Sequence, residues 1–255
     1  MGAFLFQTAL KDFIRAKRIV VWLLVILGTF GIAMMWARLT HEMASQDAYN
    51  QVSAVLVYRV LALAAAIFST AVVSQEVEQK TIVYLLTRPV ERCKLLTART
   101  LAVATVVAAI GVLLAIAVSF AVFGGGALSN SMLGKDLIAL VVGAFAYTSL
   151  FVLISLWVNR SMIVCILFAF GWETMIPNLQ GDMYYLSVYK YLETISMRAL
   201  VEGSGSVAGL AEQISVKQMS VSTAWIVLLA MIAGSAAFSA WWFTRYEYVP
   251  REDSE

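Results

Sequence analysis

The chain has 255 residues, 61% of them hydrophobic and 13% charged, where an average soluble domain carries roughly 25% charge. With 18 basic residues, 16 acidic residues and one His, the net charge of +2 is too small to attract nucleic acid or to steer an acidic substrate. Composition therefore excludes a disordered chain and an ordinary soluble enzyme, and leaves an integral membrane protein. Long apolar runs without alternating polarity select helices over a barrel, because a helix satisfies its own backbone in lipid.

In chain order, residues 1–18 place Phe6, Leu10, Phe13 and Ile14 on one helical face and Gln7, Lys11, Asp12 and Arg15 on the other. That is the pattern of an interfacial helix lying among lipid headgroups. Six apolar stretches of roughly 20 residues come next: Ile19 to Leu39, Val52 to Ser74, Leu101 to Phe123, Leu137 to Val158, Met162 to Pro177 and Thr223 to Phe243. The fifth is short, holds Glu173 and ends at Pro177, so a broken or re-entrant helix is the alternative there. The basic lead and the length of the first stretch predict an uncleaved first span.

With both termini on one side, that side gathers Lys11, Arg15, Lys17, Arg18, Lys80, Arg88, Arg92, Lys94, Arg99, Arg160, Arg245 and Arg251. The opposite side holds Arg38, Lys135, Lys190, Arg198 and Lys217. The positive-inside rule then predicts cytoplasmic termini and a multi-pass protein of the cytoplasmic membrane. Cys93 and Cys165 are expected to be unpaired on that side. The long outer segment 178–222 contains Tyr184, Tyr185, Tyr189 and Tyr191, which predicts short helices against the outer leaflet.

Chemistry is sparse. The Gly134-Lys135 pair lacks the first glycine and the hydroxyl residue of a phosphate-binding loop, so ATP, if used, belongs to another polypeptide. Gly124-Gly125-Gly126 reads as a helix terminator. A single His41 and scattered methionines give no metal-site spacing, and no nucleophile with its base assembles on one membrane face. The expectation is therefore no catalytic, cofactor or metal site. Two charges lie inside predicted spans, Arg59 at ~10 Å and Glu173 at ~6 Å from the outer boundary by the helical rise. Such charges face the bundle interior and find partners, as a structural ion pair or a cavity lining, or they snorkel to headgroups.

The cytoplasmic segment 75–100 is the most specific. Its apolar stripes Ile82, Leu85, Leu86 and Leu95, Leu96 are split by Arg88-Pro89, which predicts two short helices meeting at a proline. The run from Ser74 to Leu96 resembles the first cytoplasmic loop of ABC-2-type transporter permeases, with Glu76, Glu78, Thr81, Leu85, Leu86, Pro89 and Arg92 on that pattern. Lys80 and Glu91 depart from it. The stretch Trp172 to Gly181, with Tyr191-Leu192 beyond it, also looks like the end of span five in the branch of multicopper-enzyme-maturation permeases.

The resemblance implies one transmembrane domain over 1–255 and a coupling helix that docks an ATP-binding-cassette ATPase subunit, which would itself hold ATP and magnesium. Glu76, Glu78, Thr81, Val83, Tyr84, Leu86, Thr87, Arg88, Pro89 and Arg92 are the expected coupling residues. It further implies a second permease copy as partner, contact with membrane lipids, and export driven by the ATPase. A mechanotransmitter that moves an external accessory protein and carries no cargo, and a secondary transporter independent of ATP, stand as alternatives.

Overall fold

Backbone amides in hydrocarbon have no water to bond, so the apolar runs close into helices. The computed structural model describes residues 2–13, 16–39, 45–78, 92–129, 131–158, 160–176, 185–197 and 219–245, and no strand occurs among them. The elements are α1 (Gly2–Phe13), α2 (Ala16–Leu39), α3 (Ser45–Val52), a π turn Ser53–Val57, α4 (Tyr58–Glu78), α5 (Arg92–Phe123), α6 (Ser131–Trp157), α7 (Ser161–Leu167), a second π turn Phe168–Trp172, α8 (Glu173–Met175), α9 (Val188–Ser196) and α10 (Val221–Arg245).

Five helical runs are long and apolar enough to cross a membrane, Arg18–Leu39, Ser45–Val72, Cys93–Ala127, Met132–Trp157 and Val221–Arg245. The fifth predicted span is the short run Ser161–Met175, interrupted by its π turn. The second and third spans extend beyond their predicted ends, since α3 begins at Ser45 and α5 at Arg92. Leu95 and Leu96 therefore belong to the same unbroken helix as span three, which corrects the separate short helix predicted for them. Residues 79–91, with Thr81, Val83, Tyr84, Leu86, Thr87, Arg88 and Pro89, lie outside the described residues. Glu76 and Glu78 fall on the last turn of α4 and Arg92 opens α5.

The core sits on α6, which packs against α4, α5, α7, α9 and α10. Glycines set the approach distances. A Cβ on Gly111 of α5 would lie 2.6 Å from Leu61 Cδ1, and one on Gly143 of α6 would lie 2.7 Å from Leu192 Cδ1. Gly234 of α10 meets nothing within 4 Å. Small residues thus serve the interior of this chain at Gly111 and face outward at Gly234. The first and last spans form the periphery, with 11% and 17% of their central windows buried, against 61%, 56% and 56% for spans two to four.

At the end that holds the termini, α1 lies along α5. Ala9 and Phe13 are buried while Gln7, Lys11 and Asp12 face outward, as the amphipathic pattern predicts. Phe13 meets the edge of Phe68 at 6.3 Å, and Asp12 interacts electrostatically with Arg99 of α5. At the other end α5 stops where Gly124 takes a φ of +56°, a left-handed conformation that an L side chain rarely adopts. The Ser119 hydroxyl donates to the Ala127 carbonyl at 3.0 Å and ties this turn back to the helix.

Between spans five and six the expected short helix is present as α9, and Val188, Tyr191, Leu192 and Ile195 bury it against α6 and α10. The reason is its amphipathic pattern, whose apolar face finds a slot opened by Gly143.

Candidate functional site: a polar cluster at the far end of the bundle

The buried acids Asp136, Glu173 and Glu193 lie at the end away from the termini, around or on α9. Ser187 takes an extended conformation ahead of α9 and its hydroxyl accepts from the Lys190 amide at 3.4 Å, a helix N-cap. The first amides of a helix have no partner within it. Glu173 supplies one from the neighbouring span. Its carboxylate accepts from the Ser187 hydroxyl at 2.7 Å, the Val188 amide at 3.0 Å and the Tyr189 amide at 3.1 Å. Glu173 is 1% exposed, so these three donors and the positive end of the helix dipole replace water.

Further bonds hold the same helix. The Trp172 indole donates to the Leu186 carbonyl at 3.3 Å, and the Tyr191 hydroxyl donates to the Tyr185 carbonyl at 2.7 Å. Lys190 and Glu193 pair at 2.8 Å, and α9 ends at Met197 with φ 58°.

Arg59 reaches α9 from α4. Its guanidinium stands 5.8 Å from the Tyr189 ring centre, where the ring's negative face attracts it. The nitrogen Nη1 is buried with no hydrogen-bond acceptor among the described residues. Arg59 and Glu173 interact electrostatically, and Tyr147 of α6 interacts with both. Three hydrogen bonds to the Glu173 carboxylate come from the start of α9, and the Tyr147 side chain of α6 makes a further one.

Tyr58 meets the Tyr189 ring edge-on at 5.6 Å and donates to Asp136 Oδ1 at 3.2 Å. Tyr49 donates to Asp136 Oδ2 at 2.8 Å. Asp136 is 1% exposed. Hydropathy places it outside span four and leaves Glu173 as the acid inside the membrane, but α6 begins at Ser131 and carries Asp136 into the bundle. Gly134 and Lys135 sit on the same helix and form no loop. Two tyrosines facing one end of span two are the signal that could have found this acid.

Two of the charges share a local cause. The π turn Ser53–Val57 directly precedes Tyr58 and Arg59, and the π turn Phe168–Trp172 directly precedes Glu173. One extra residue in a turn rotates the next part of the helix by about 100°, and such bulges gather at functional positions.

Cys165 is buried in α7 and Cys93 lies at the start of α5, both as free thiols. Among the described residues no group of three His, Cys, Asp or Glu is placed to hold a metal ion. What the cluster can do is fasten helices to one another, α8 to α9 through Glu173 and α6 to α3 and α4 through Asp136.

An all-helical bundle with helices long and apolar enough to cross a bilayer, and a short helix locked among them by buried polar groups, defines a multi-pass membrane protein. The chain belongs to the ABC-2 family transporter proteins, whose family pattern matches residues 12–172. It is a transport permease by that membership. The match ends at Trp172, one residue before Glu173, so the lock on α9 and the last span lie beyond it. No curated protein matches the chain.

Proposed function

We propose that this permease is the transmembrane subunit of an ATP-binding-cassette exporter, driven by a separate ATPase that docks on the segment between α4 and α5. The family membership over residues 12–172 carries this reading. The packing of α1 supports it. The segment leaves α4 and enters α5, and α1 touches both helices, through Phe13 on Phe68 and through Asp12 beside Arg99. A force on the segment therefore moves a joined base of three helices and is not absorbed by one of them.

Glu76 and Glu78 orient the exit from α4, Arg92 the entry to α5, and Thr81, Val83, Tyr84, Leu86, Thr87, Arg88 and Pro89 form the docking surface. ATP and magnesium are held by the partner. The termini face the cytoplasm, and two copies of the permease flank the path.

The test is co-purification of the chain from membranes, then ATPase and vesicle-flux assays. The expected result is a nucleotide-binding partner, and Leu86→Asp abolishes stimulation of its ATPase activity while membrane insertion is unchanged. Flux without nucleotide, or full coupling in Leu86→Asp, overturns the reading. ATPase activity without any flux assigns the chain to a mechanotransmitter instead.

A further inference from the structure

We propose that Glu173 is a two-position latch, which holds α9 inside the bundle in the docked state and passes to the Arg59 guanidinium when α9 is released. The proposal rests on the transport reading, since withdrawal of α9 opens the far end of the bundle to a passenger.

Four observations converge on it. Ser187, Val188 and Tyr189 at the start of α9 give Glu173 three hydrogen bonds, so withdrawal of the helix strips a buried carboxylate of those donors at once. Tyr147 of α6 is the hydrogen-bond partner that stays, and a buried carboxylate stripped of three donors needs a cation to replace them. Arg59 is at hand, because it interacts electrostatically with Glu173, lies over the Tyr189 ring, and keeps Nη1 buried without an acceptor among the described residues. An unsatisfied buried donor on a cation is costly, and it is explained if a second state uses it.

The other buried acid does not compete. Both oxygens of Asp136 already accept from Tyr49 and Tyr58. Finally, Glu173 directly follows a π turn and Arg59 is the second residue after another. A π turn can tighten to α geometry without breaking its helix and re-aims the next side chains by about 100°, which supplies discrete alternatives for both partners. Coupling between sites needs such a two-state element.

Hydrogen exchange of peptides covering 185–197 tests the latch on the full chain in lipid nanodiscs. Ser187→Ala removes one charged hydrogen bond from the docked state and is expected to speed exchange on the order of tenfold. Arg59→Met removes the carboxylate's destination in the released state, so exchange slows below that of the unaltered chain, and Arg59→Lys restores it. Arg59→Gln, which keeps a polar group for folding, carries the same expectation as Arg59→Met. With Glu173→Gln already present, adding Arg59→Met no longer slows exchange, because only the contact with Tyr189 is then lost.

If Glu173 is only a static cap, Arg59 merely adds its contact with Tyr189, and Arg59→Met then speeds exchange or leaves it alone. Either of those results overturns the latch. The measurement needs no nucleotide and no partner chain, so it stands or falls separately from the recruitment of an ATPase.

Discussion

Gly143 decides how deeply α9 sits, because any side chain there meets Leu192 and Leu61 at once, at 2.7 and 3.3 Å from the Cβ position. Gly143→Val is expected to cost about 1–3 kcal/mol by overpacking, seen as a lower thermal unfolding temperature of the detergent-solubilised chain. Leu192→Ala in the same chain should recover part of that loss, and absence of any recovery would remove the contact as its cause. At Asp136, Tyr49→Phe deletes the shorter of two charged hydrogen bonds and should cost about 1.5–3 kcal/mol, more than Tyr58→Phe, in the same assay. Arg59 and Glu173 are legible in the sequence because charge inside an apolar run is conspicuous. Asp136 is not, since it stands next to Lys135 at the edge of a run and reads as solvated until the helix is seen to start five residues earlier.

At the scale of elements, hydropathy located the long apolar helices among the described residues and the amphipathic α1, but it could not see the π turns. One additional residue in a turn leaves no mark on composition. Nor could it place α9, because a tyrosine-bearing amphipathic segment suits a headgroup layer and a protein groove equally well. Deleting Ala54 from the first π turn should return it to α geometry and swing Arg59 off Tyr189, which circular dichroism would register as unchanged helix content with a lowered melting temperature. For α1, Asp12→Lys sets like charges beside Arg99. Faster hydrogen exchange in residues 2–13 with unaltered exchange in α6 is the expected outcome, and an unaltered α1 would show that Phe13 alone holds it.

For the whole molecule, the periphery made by α2 and α10 is where a second copy or lipid must cover exposed apolar side chains such as Leu24, Leu27, Ile226 and Leu229. Gly111 and Gly234, alike in sequence, then predict opposite phenotypes. Gly111→Leu should destabilise the isolated chain, because Leu61 occupies the space. Gly234→Leu should leave its unfolding temperature unchanged and reduce the dimer fraction counted by single-molecule photobleaching in nanodiscs. An unchanged dimer fraction would move the interface to another face.

The brevity of the run Ser161–Met175 has a consequence for the surrounding lipid. At ~1.5 Å per residue its described residues cover about 22 Å, short of a hydrocarbon layer of about 30 Å. The bilayer must thin beside it, or the inserted α9 must stand in for the missing length on that flank. Hydrophobic mismatch then couples lipid chain length to this wall of the protein, so short acyl chains should suit the chain with α9 withdrawn and long ones should keep it seated.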